Sequence, residues 1–281
     1  MHDRKSLAYA PSASGPRARA NARAGHLSRS EHQAGQAVRA RQRILAAFLP
    51  ITAVLYISCE ALFPRGTDQV ATNMAVAFRL LPIAAAHSSQ LYLAGSLSLL
   101  ALGGLAVSYE AIALLITGRG WVIATVAALV GAAGAFTGAL LNVLVGVNLA
   151  AAASAHIGTG AAAHFLVTSF GSGPALAAQY VYIASEYTAP VLMGMALWRS
   201  RAVPRWLAVL FTVGLEAAEA MGSYGPIVVL FMLPFAAAMI LLAARIWQAA
   251  ARPAAPHHDT APTPSATPDS AATPLRTSSG S

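Results

Sequence analysis

Apolar runs about the length of a bilayer crossing dominate this chain, separated by short segments rich in Gly, Pro and Arg. A helix needs about 20 apolar residues to cross ~30 Å of hydrocarbon. Runs at 44–62, 89–117, 121–147, 174–197, 205–222 and 226–247 are the candidates, with Pro50, Pro190 and Pro234 as expected kinks. Between the first two lies TDQVATNMAVAFRLLP (67–82). Thr67 stands at the N-cap position, and Val70, Met74, Ala77 and Leu81 share one face. This spacing predicts an amphipathic helix resting on the membrane surface. Residues 148–173 are apolar but broken by Gly158, Gly160, Gly171 and Gly173, which predicts a re-entrant or surface segment rather than a seventh span.

Basic residues give the direction. Nine precede Ile44, and Arg119, Arg199, Arg201, Arg205, Arg245, Arg252 and Arg276 flank the same side of the six spans; only Arg65 and Arg79 fall on the other. Cytoplasmic flanks retain Lys and Arg, so both termini are expected in the cytoplasm of a multi-pass plasma-membrane protein. Arg199, Arg201 and Arg205 would end up outside if 148–173 crossed. The fold class is therefore all-α: a polytopic bundle of six transmembrane helices with an outer amphipathic helix and disordered termini. Its parts are a disordered basic tail (1–43), the membrane domain (44–248) and a disordered Pro/Thr/Ala-rich tail (249–281).

Composition fits this picture and narrows the partners. The chain is 57% hydrophobic and 10% charged, unlike a soluble domain. The formal net charge of +8 is concentrated in the N-terminal tail, which argues against nucleic acid and for the bilayer itself, with anionic lipid at the tail. No protein partner can be named. Cys59 is the single cysteine, so no internal disulfide forms, and its context does not match a lipoprotein cleavage site. One lysine against seventeen arginines, together with abundant alanine, points to a bacterium with a GC-rich genome.

Ionisable groups inside spans cost roughly 2.5–3.5 kcal/mol each on insertion scales, which singles out Glu60, Glu110, Glu186, Glu216 and Glu219. Gln179, Tyr182 and Glu186 share a face of the fourth span; Thr212, Glu216, Glu219 and Ser223 share a face of the fifth. Glu60, Glu186, Glu216 and Glu219 are expected in the outer half, with Tyr182, as a ligand or ion pocket. In it Glu186 approaches Glu216 or Glu219. The competing reading is that each glutamate is neutral at depth or holds helices together through a hydrogen bond. Glu110 is expected to pair with Arg119 or Arg199. Gly131, Gly134 and Gly138 form a small-residue stripe suited to close helix packing.

Chemistry beyond that is sparse. His156 and His164 are weak metal candidates, since imidazole and carboxylate suit zinc but the spacing matches no zinc motif. No nucleotide, hydrolase or kinase signature occurs, and no cofactor is implied. The expectation is a non-enzymatic membrane protein, for ion- or proton-linked transport or small-ligand binding. The alternatives are a regulatory or structural membrane partner and a membrane-embedded metal hydrolase. The stretch from about 67 to 140, chiefly LYLAGSLSLLALGGLAV and LLITGRGWVIATVAALVGAAGAF, resembles the DUF4386-like six-helix bacterial membrane proteins. That resemblance implies a topology and no activity.

Overall fold

The computed structural model describes residues 16–67, 70–155, 157–220 and 227–251, with side chains described from Gly35 to Ala217 and from Ile227 onward within those bounds. All regular structure among them is helical: α1 (Pro16–Leu62), α2 (Met74–Ala86), α3 (Ser88–Leu115), α4 (Trp121–Ser154), α5 (Thr159–Phe170), α6 (Gly173–Ser200), α7 (Arg205–Ala220) and α8 (Val228–Ala251). Four stretches are long and apolar enough to cross a membrane: Gly35–Leu62, Ser88–Leu115, Trp121–Ser154 and Val228–Ala251. The 28 residues of α6 are diluted by Gln179, Glu186 and Arg199, and the described part of α7 has 16 residues.

The six long helices close into a ring in chain order. α1 packs on α3, α3 on α4, α4 on α6, α6 on α7, α7 on α8, and α8 returns to α1. Neighbours run antiparallel, as paired contacts at both ends of each interface show. Cys59 Sγ reaches Ala94 O at 3.5 Å near one end of the α1–α3 contact. Ser108 Oγ donates to Thr52 Oγ1 at 3.2 Å further along it. Between α1 and α8, Tyr56 packs edge-on against Phe235, and Arg43 donates to Ala250 O at 3.4 Å. The α3–α4 turn, the α6–α7 turn and the last turn of α8 therefore gather at one end with Arg119, Arg199, Arg201, Arg205 and Arg245; we call this the basic end.

Small residues set the tightest approaches. A Cβ on Gly146 would lie 2.6 Å from Leu91 O, so α3 and α4 meet backbone to backbone. A Cβ on Gly131 would lie 2.6 Å from the Tyr109 ring, and one on Gly138 would lie 2.5 Å from the Tyr182 ring. Gly134 faces the Ser185 side chain at clash distance for any Cβ. The stripe thus seats α4 against α3 on one side and α6 on the other. In hydrocarbon, where apolar burial drives little association, such close packing is what holds helices together. The outward faces of the ring remain apolar: Ile51, Leu99, Leu129, Phe136, Val191 and Leu230 are all exposed, as expected of a surface that meets lipid tails.

Several expectations are corrected. Residues 16–43, read as disordered, continue α1 as helix, in keeping with their many Ala, Arg and Gln residues of high helix propensity. The whole of α1 is about 70 Å long at 1.5 Å per residue, so it extends well beyond a bilayer at the basic end. The helix predicted from Thr67 starts later: Asn73 is its N-cap, and its side chain accepts from Val76 N. Thr67 instead closes the preceding turn, its hydroxyl donating to Pro64 O at 2.7 Å. Residues 148–173 divide between a longer α4, ending at Ser154, and the short α5. At about 18 Å, α5 is too short to cross; it packs on α2 and α4 at the end opposite the basic one.

Candidate functional site

Inside the ring, at about the middle of the long helices, lies a small, partly enclosed cavity of ≈ 20 Å³, room for roughly one water molecule. Five helices line it: Tyr56 from α1, Tyr109 from α3, Gly131 and Gly134 from α4, Tyr182, Ser185 and Glu186 from α6, and Leu215 from α7. Gly131 and Gly134 let Tyr109 and Ser185 pack closely on α4 along this side of the cavity.

Among the described residues that line it, Glu186 is the ionisable carboxylate. It is the fourteenth of the 28 residues of α6, at the middle of that helix. Tyr182, one turn earlier on the same face, donates its phenolic hydroxyl to Glu186 Oε1. Below this pair Pro190 lacks the N–H that would bond the Glu186 carbonyl. The carbonyl of Pro190 itself accepts from Thr212 Oγ1 at 3.3 Å, tying α6 to α7. Beside the cavity, Tyr109, Phe211, Phe235 and Tyr56 form a chain of ring contacts across α3, α7, α8 and α1, with centroids 6.1 to 6.3 Å apart. Such edge-on and tilted contacts stabilise through complementary ring quadrupoles, so this wall of the cavity is rigid.

The other predicted site residues are dispersed. Glu216 does not line the cavity, although its neighbour Leu215 does; its Oε1 is shut off from solvent inside the protein. Glu60 is half-buried in the last turn of α1. The Glu219 side chain and His156 lie outside the described residues. His164 is exposed on α5, its Nδ1 3.4 Å from Thr168 Oγ1. Among the described residues no three His, Cys, Asp or Glu side chains gather as a metal group. Glu110 pairs with Arg41 rather than Arg119 or Arg199, because the helical extension of α1 carries Arg41 alongside the end of α3. Tyr56, Tyr109 and Ser185 were missed as cavity residues; the usable signal was that Ser185 sits three residues from both Tyr182 and Thr188 within an apolar span.

No family model, no curated protein and no solved structure matches this chain. What the structure itself defines is an integral membrane protein built of apolar helices.

Proposed function

We propose that this chain is a six-span membrane protein, in which α6 and α7 cross as the fourth and fifth spans along with the four apolar helices, and that its central cavity binds a small cation, the proton included, as a step in transport. The observation that carries this reading is Glu186: a carboxylate at the midpoint of α6, lining a cavity together with the hydroxyl-bearing side chains of Tyr182 and Ser185. A carboxylate at that depth is costly in its charged form, and a proton or small cation bound among these oxygens offsets that cost. Phenol and serine hydroxyls around it supply further oxygen ligands. The reading keeps the six-helix layout that the resemblance to DUF4386-like proteins implies, and a non-enzymatic role. The basic end is then cytoplasmic, together with both termini, in a bacterial plasma membrane.

The test is ion movement in proteoliposomes. Wild-type protein should carry a proton or alkali-cation flux that a lumenal indicator dye reports, and Glu186→Gln should abolish it while leaving the protein folded. Flux retained in Glu186→Gln, or absent in wild type under every cation gradient, defeats the proposal and leaves the regulatory or structural partner. Reporter fusions after Arg119 and at Ser200 should both read cytoplasmic; a periplasmic signal at Ser200 would remove the six-span topology.

A further inference from the structure

At the end opposite the basic one, α1 stops at Leu62, and a tight turn leads away from it. Thr67 N bonds Pro64 O at 3.2 Å and the Thr67 hydroxyl bonds the same oxygen at 2.7 Å. Gly66 takes φ +84°, the left-handed conformation required at the third position of a type II turn. Thr67 is almost fully buried, so the turn is fixed from beneath and holds Arg65 exposed at its tip. Gln90 Nε2 donates to Leu62 O at 2.6 Å, which caps the end of α1 and locks it to the first turn of α3. These groups frame a second cavity of ≈ 970 Å³ of atom-free space, open to solvent, between the α1–α3 junction and the C-terminal half of α2. Phe63, Pro82 and Ile83 form its apolar walls; Arg65, His87 and Gln90 form its polar rim.

We propose that this cavity binds the phosphate of an anionic phospholipid from the leaflet at that end. The position is right, because helix ends mark the headgroup level and the apolar walls continue toward the hydrocarbon. Guanidinium geometry matches a phosphate bidentately, and basic pockets between membrane helices hold anionic headgroups. His87 makes no capping bond with its side chain and lines the same rim. Charge placement makes the case specific. Arg65 is one of two cations on the side that otherwise carries none in this chain, and the other, Arg79, does not line the cavity. A cation retained there against the general bias has a local task. The role is independent of any cation binding at Glu186.

The full chain, reconstituted in phosphatidylcholine nanodiscs doped with phosphatidylglycerol, is analysed by native mass spectrometry for retained lipid. Wild type should retain phosphatidylglycerol selectively, and Arg65→Gln should lower that retention about fivefold, the effect of one basic residue near an anionic surface. Arg65→Lys should keep part of it, and Arg79→Gln all of it. Ile83→Trp, which crowds the wall without touching the charge, should also lower it, and serves if Arg65→Gln does not fold. Equal losses in Arg65→Gln and Arg79→Gln would show a diffuse surface charge and overturn the site. Displacement of the lipid by millimolar inorganic phosphate would overturn the lipid assignment in favour of free phosphate.

Discussion

The phenol of Tyr182 donates its hydrogen to Oε1 of Glu186 from one turn earlier on α6, while the Cδ2–Cε2 side of its ring lies against Gly138 of α4. The same side chain therefore fixes the carboxylate and fills the groove that the glycine leaves. Removing only the hydroxyl separates these roles. Tyr182→Phe should keep the packing and the melting temperature but weaken cation binding about tenfold, the worth of one charge-assisted hydrogen bond. Titration of the detergent-solubilised protein checks this; unchanged affinity in Tyr182→Phe removes the phenol from the site.

Glycine substitutions in α4 and α3 should diverge sharply. Gly134→Ala places a methyl against the Ser185 side chain, and overpacking of this kind destabilises by about 1–3 kcal/mol. Gly103→Ala meets nothing within 4 Å, and removing a helical glycine there should stabilise by roughly 0.5–1 kcal/mol. Thermal unfolding in one detergent, compared across both variants, reads the contrast. Equal effects at the two positions would mean that α4 does not sit as closely on α6 as described.

The Arg41–Glu110 pair is largely exposed, with side chains 63% and 49% accessible. Exposed ion pairs contribute about 0.2–1 kcal/mol and are screened by salt. A double-mutant cycle with Arg41→Gln and Glu110→Gln should give a coupling in that range that shrinks as salt rises. A coupling of several kcal/mol would be out of keeping with so exposed a pair.

Phe211 joins Tyr109 to Phe235 and is almost fully buried. Phe211→Ala should cost about 3–5 kcal/mol through the void it leaves and should widen the cavity next to Leu215. Chemical denaturation measures the first effect. Faster exchange of cavity-bound cation in Phe211→Ala, compared with Phe211→Leu, measures the second.

The apolar parts of the six long helices were legible because they obey local rules of length and apolarity, whereas α5 and the extension of α1 before Ile44 were not. Gly131, Gly134 and Gly138 were legible as a packing stripe for the same reason, since residues at i, i+3 and i+7 share a face whatever surrounds them. The cavity was not. Tyr56, Tyr109, Tyr182 and Leu215 lie on four helices far apart in sequence, and what brings them together is the rotation of each helix about its own axis, which ring closure fixes and no single span reveals. Glu110 shows the same limit. Its partner follows from Arg41 lying on an unbroken helix, whereas compositional reading ended the helix at Ile44. Thr67 was misplaced because a Ser or Thr before an apolar run suits an N-cap and a turn equally well. Only the Pro64–Gly66 backbone decides between them.

The ring has a consequence for how the protein is made. Its order is the order of synthesis, so every helix meets its predecessor in the ring at once, except α1, whose remaining flank is covered by α8. Until that final helix leaves the ribosome, Tyr56 has no Phe235 to lie against and Arg43 has no carbonyl at Ala250. A nascent chain stalled before α8 therefore leaves the seam along α1 unfinished, without the contacts that α8 supplies.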